Sequence, residues 1–243
     1  MGRLATIFVA LAWPALAQDV PLSEGAVVTA ELIAPTDRYD HGVLGDAVEW
    51  GGLRLGINTC IGCARQSVQT LTITLPVTRV FEDVTARVAD LDGDGRAEVV
   101  VVETDMVQGG SLAIYDAQGK RAATAFPGQT HRWVAPAGIG DFNGDGRIEI
   151  AYVDRPHLAR EVVFLRYKSG KLTEIARAPG YSNHRIGDAS ISGGTRRCGG
   201  QDTLVLASAD WSRVMELRLK GARIIAQDIG ALTGQDALTP GCP

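Results

Sequence analysis

Two nine-residue segments carry the chemistry that is easiest to read in this chain. They are DLDGDGRAE from Asp90 to Glu98 and DFNGDGRIE from Asp141 to Glu149. Each places an oxygen-bearing side chain at positions 1, 3 and 5: Asp90, Asp92 and Asp94, then Asp141, Asn143 and Asp145. Glycine follows at position 6 (Gly95, Gly146), and a carboxylate closes each segment at position 9 (Glu98, Glu149). Oxygens two residues apart on a tight coil can converge on one hard cation. The glycine allows the sharp turn, and the residue at position 7 (Arg96, Arg147) offers its backbone carbonyl. Magnesium demands stricter octahedral geometry and keeps more water, so the expected ion is calcium. A helix–loop–helix calcium hand is excluded, because position 12 is Val101 in one segment and Tyr152 in the other.

A third segment, from Asp188, keeps oxygens at positions 1, 3 and 5 with Asp188, Ser190 and Ser192. Arg196 stands at position 9, so a late carboxylate would have to come from Asp202 through a longer loop. Asp46–Glu49 is too short to wrap an ion. Three histidines, His41, His131 and His184, precede the strings ending at Asp46, Asp141 and Asp188. With Arg132, Arg185 and Tyr39 they form a candidate ligand face for a small anion, a sugar acid or a transition metal. The plainer reading makes each a polar residue satisfied locally at a strand entry. Cys60, Cys63, Cys198 and Cys242 are expected to form two disulfides, Cys60 with Cys63 and Cys198 with Cys242. A redox role for Cys60 and Cys63 would need the first cysteine at a helix start, and Gly56–Thr59 does not resemble one.

These residues need elements that repeat. Strings ending at Asp46, Asp90, Asp141 and Asp188 recur at intervals of 44, 51 and 47 residues. After three of them a loop leads into a strongly β-prone run: Val99–Val102, Ile150–Val153 and Leu204–Ala207, with a less clean Trp50–Leu55 in the first unit. Second strands follow at Thr70–Leu75, Ser111–Tyr115, Val162–Tyr167 and Val214–Leu219, then glycine-containing turns. A cassette of four strands at a period near 47 is the requirement of a propeller blade. The expectation is an all-β fold, a small β-propeller of four four-stranded blades, with five as the second count. Calcium loops would join first and second blade strands. Units begin near residues 39, 81, 131 and 182, and Val27–Ala34 is expected to close the ring against the chain end.

DLDGDGRAEVVVV and GDFNGDGRIEIAYV resemble the repeats called VCBS or FG-GAP, found in integrin-type β-propellers and many secreted bacterial proteins. The resemblance implies a blade whose first strand enters the calcium loop and whose second strand leaves it. It covers roughly residues 81 to 170. No FG pair opens these units and no GAP triplet closes them.

Residues 1–17 read as an export signal: Arg3, an apolar run, and Ala15-Leu16-Ala17 before Gln18. Residues 18–243 form one repeat domain, and the run is too short to span a bilayer. Without Arg3 the chain carries 23 basic and 28 acidic residues. With no basic cluster longer than a pair, nucleic acid is a poor partner. The expected location is periplasmic or extracellular. No nucleophile elbow, zinc-protease helix or phosphate loop is present. Two readings of function stay open. One is a monomeric calcium-binding module for a protein or glycan partner. The other is a periplasmic hydrolase or lyase using the His/Arg face.

Overall fold

Runs of β-branched residues separated by glycine turns give an all-β fold of antiparallel strands among the described residues. The computed structural model describes residues 24–60 and 67–242. The expected export segment and Cys63 lie outside the described residues.

Three sheets form in chain order. The first holds β1 (Val27–Thr36), β2 (Glu49–Asn58), β3 (Val68–Thr74), β4 (Arg79–Phe81), β5 (Arg87–Ala89), β6 (Glu98–Asp105), β7 (Gly109–Asp116) and β8 (Gly119–Ala123). The second holds β9 (Val134–Gly140), β10 (Glu149–Asp154), β11 (Glu161–Lys168) and β12 (Lys171–Pro179). The third holds β13 (Tyr181–Ser182), β14 (Gly194–Cys198), β15 (Gln201–Ser208), β16 (Arg213–Lys220) and β17 (Arg223–Ala231). A short 3-10 turn at Gln235–Leu238 follows.

Each sheet contains one four-stranded meander: an inner strand, then β6–β7–β8, β10–β11–β12 or β15–β16–β17. The inner strand is continuous only in the second sheet. In the first it is split into β4 and β5, which share one edge of β6. In the third it is split into β13 and β14, which share one edge of β15.

The apolar runs read from the sequence are the middle of these sheets, and their alternation stacks the layers. Val100 and Val102 face the second sheet, in a core with Ile150, Tyr152 and Leu165. Val99 and Val101 face the other way, against Leu53, Leu55 and Phe81. Ala151, Val153 and Phe164 pack on Leu204, Leu206 and Leu217 of the third sheet. Val205 and Ala207 turn outward and are covered by Leu238. A strand with a partner on each face must be apolar at every position, which is why four valines in a row sit in β6.

Three expectations need correction. The unit beginning near residue 39 is not a sheet of its own. β3 takes most of one edge of β2, and β4 joins the same edge through Trp50 and Phe81, so the first unit fuses with the next. Val27–Ala34 does not pair with the chain end, since β1 bonds β2 along its whole length. The segment from Asp188 does not join a first strand to a second. It runs between β13 and β14, and the turn into β15 is only Gly199-Gly200.

Candidate metal centre

Both nine-residue segments lie where the spacing puts them, between an inner strand and the strand that follows it. The first connects β5 to β6 and the second connects β9 to β10. Four backbone-to-carboxylate hydrogen bonds are common to both loops. Asp90 accepts the N–H groups of Gly93 (2.9 Å) and Gly95 (3.0 Å), and Asp141 accepts those of Gly144 and Gly146 (both 2.8 Å). Asp94 takes the Arg96 N–H at 2.7 Å, and Asp145 takes that of Arg147 at 2.9 Å. Glu98 reaches back to the Leu91 N–H at 2.9 Å, and Glu149 to that of Phe142 at 3.0 Å. Gly95 and Gly146 have φ of +83° and +79°, the left-handed conformation required of position 6.

Position 2 is an anchor that the ligand reading passed over. Leu91 and Phe142 are buried in the cores beneath their loops. The signal is present in the sequence as an apolar residue between two oxygen donors in both segments. Each loop is also braced from the next sheet. The Ser169 N–H, in the β11–β12 turn, donates to Asp92 at 3.2 Å. Asp202 accepts the Asp141 N–H at 2.9 Å, and the Gln201 amide donates to the Phe142 carbonyl at 3.0 Å.

The electrostatics of the two loops differ. In the first, Asp90, Asp92 and Asp94 each offer an oxygen, all within 4.8 Å of one another. Asp92 Oδ1 is buried with no hydrogen-bond partner. Glu98 is raised to about 7 by burial and by repulsion from the three aspartates, against the pull of the Leu91 N–H. A buried carboxylate at that value, facing three others, is a site short of positive charge. These residues fit a hard divalent cation. In the second loop, burial again raises Glu149, but Arg166 opposes the shift. The Arg166 guanidinium bonds Glu149 and also reaches Asp145 at 3.1 Å. Asn143 spends its amide N–H on Asp145 at 3.1 Å.

Of the third candidate set, Asp188 accepts Gln235 at 3.0 Å and its carbonyl is bonded by His184 at 2.8 Å. Asp202 is committed to the second loop and to Arg197 at 3.2 Å. Ser190 and Ser192 lie in the same β13–β14 connection as Asp188, and the Ser192 N–H bonds the Asn183 carbonyl.

The histidines gather at the opposite end of the inner strands, since His131 precedes β9 and Asp141 follows it. His41 and His131 stack with ring centroids 5.0 Å apart beside Tyr39. His41 Nδ1 is bonded to the buried Glu82 and His131 to Asp40. His184 joins through Trp133, whose indole meets its ring at 5.0 Å and donates to the Glu82 carbonyl at 2.9 Å. His157, which the spacing of the repeated strings did not single out, bonds His184 at 3.1 Å and is lowered to about 4 by burial and by its histidine neighbours. Arg185 lies elsewhere, its guanidinium 4.2 Å from the centre of the Trp211 ring. Arg132 contributes its carbonyl to the Gly110 N–H.

The Cys198–Cys242 disulfide forms as expected, with Cα atoms 5.7 Å apart. Cys60 is also disulfide-bonded, and its expected partner Cys63 lies outside the described residues. No helix among the described residues is long and apolar enough to cross a membrane.

Comparison with curated proteins finds no match to this chain. Residues 90–152 match the model of the FG-GAP-like repeat, an interval that starts at Asp90, the first residue of the first loop, and includes all of the second. The two loops, each leading from an inner to a second strand, lie in that interval, and residues 90–152 are similar to an FG-GAP-like repeat.

Proposed function

We propose that this chain is an exported, calcium-binding interaction module of the β-propeller type, acting on a protein or glycan partner. The observation that carries the calcium reading is the first loop: three aspartate oxygens within 4.8 Å, one of them buried without a partner, closed by a buried glutamate. A bound divalent cation would supply the positive charge that this set lacks. The chain's own residues do the positioning. Gly93 and Gly95 turn the backbone so that Asp90 faces inward, Leu91 pins the loop to the core, and the Ser169 N–H fixes Asp92.

The propeller-type reading rests on three stacked four-stranded meanders, with β1, β2 and β3 joined to the first sheet and packed on the outer face of its meander. Export is supported by the leading apolar segment and by the Cys198–Cys242 bridge, which suits an oxidising compartment. The histidine cluster supports a joint between layers more than a reaction centre, because each ring is tied to an internal partner.

Titration calorimetry on chelator-stripped protein tests the central claim. Calcium should bind with measurable heat and raise the melting temperature, and Asp94→Ala should remove the effect. At free calcium about 100-fold over the dissociation constant, one site adds about 2.7 kcal/mol of stability. Absence of both heat and melting shift rejects the reading.

A further inference from the structure

The two loops share a skeleton, a period and a family model, yet one position outside both sets them apart. In the first sheet Val99 pairs with Tyr115, so the residue across from Glu98 is Asp116 on β7. In the second sheet Ile150 pairs with Leu165, so the residue across from Glu149 is Arg166 on β11. The same place in the cassette holds a carboxylate in one blade and a guanidinium in the other.

We infer that Arg166 is a tethered counter-ion for the second loop, doing by an internal ion pair what calcium would do in the first, so that this loop is closed without metal. The inference rests on the calcium reading only for its comparison with the first loop. Arg166 bonds the last ligand position, Glu149, and reaches the fifth, Asp145, so its charge sits between the carboxylates that an ion would have to bridge. Glu149 is fully buried and Arg166 is three-quarters buried, which weakens screening of the pair by water. Removing either partner would strand a buried charge, so the guanidinium is not easily displaced. Asn143 replaces the middle aspartate and uses its amide on Asp145, lowering the negative charge further. A cavity of about 130 Å³ lies between the two loops, lined by Asp92 and Gly93 of the first and by Gly146, Arg147 and Arg166 on the side of the second. Among the described residues no such ion pair reaches the carboxylates of the first loop. Arg121, which shares a cavity with Asp92, Asp94 and Glu98, pairs with Asp116 at 3.2 Å and with Gln118.

The test uses the full mature chain and calcium alone as probe, by equilibrium dialysis and by melting curves in chelator. Wild type should bind one calcium, and Asp94→Ala should bind none. Arg166→Asp, which copies the first blade, should gain a second site in about the 10⁻⁴–10⁻³ M range of extracellular calcium modules. It should also melt below wild type in chelator and recover with calcium. Arg166→Gln, a milder change should the aspartate variant not fold, should gain the same site more weakly. If wild type binds two ions and Asp145→Ala removes one, the inference is overturned while the calcium reading stands. If neither Arg166 variant gains a site, the inference is likewise overturned. If wild type binds none and Arg166→Asp binds one, the inference holds and the reading of the first loop fails.

Discussion

Asp202 on β15 accepts the backbone N–H of Asp141 at 2.9 Å, so a carboxylate from the third sheet holds the entrance of the loop in the second. Spacing alone assigns Asp202 to a site with Asp188. The register of β14 and β15 instead sets it across from Arg197, facing the neighbouring layer. Asp202→Ala leaves the Asp141 N–H and Arg197 without this partner and should cost about 1–2 kcal/mol, read as a lower urea midpoint with an unchanged slope. A methyl group on Gly140 would lie 2.5 Å from Asp202 Oδ2, so Gly140→Ala should displace the same carboxylate and lose a comparable amount. Wild-type midpoints in both variants would mean that the brace does not matter.

Glu49 gives the fold a pH dependence of known sign. It is 2% exposed, its Oε2 has no partner, and burial together with Glu82, Asp46 and Asp83 pushes it up to about 9. In the unfolded chain it ionises near 4.5. Between those values the folded form holds the extra proton, so the stability linked to Glu49 is complete below pH 4.5 and is lost as pH rises toward 9. Glu49→Gln should remove that slope. It should exceed wild type by roughly 1 kcal/mol or more at pH 9 and match it near pH 4. Parallel stability curves for the two proteins would contradict the assignment.

Phe142 anchors the second loop. It is fully buried and meets Phe164 edge to face at 5.4 Å. Phe142→Ala should cost about 3–5 kcal/mol through lost contacts and a cavity. Its amide also bonds Glu149, so hydrogen exchange should rise first at the loop amides of Gly144 and Gly146. A loss under about 1 kcal/mol would place the anchor elsewhere.

The Cys198–Cys242 bridge spans a sequence separation of 44 and ties the tail that carries Leu238 over Val205, Ala207 and Val214. Chain-entropy reasoning puts its contribution at up to about 4 kcal/mol. Cys198→Ser paired with Cys242→Ser should lower the melting temperature and expose the 3-10 turn to proteolysis. Unchanged melting would show that Leu238 holds the tail unaided.

What depends on local order is legible in the residue string. Oxygen donors at alternate positions with glycine at the sixth favour a coil of one kind, and the two loops share four hydrogen bonds. Apolar runs such as Val99–Val102 favour strands covered on both faces, because β-branched side chains suit the pleated sheet and no position is polar enough to face water. Which residue stands across each loop is not legible there, since it depends on the register of a strand more than ten residues away. Hence Asp116 faces Glu98 while Arg166 faces Glu149, and Asp202 serves a loop that spacing did not give it. The count of units was settled in the same way. β1 and β2 carry good strand sequences, but an edge is open to whichever partner reaches it. β4 reaches β2 through Trp50 and Phe81, and that pairing merges the first expected unit into its neighbour.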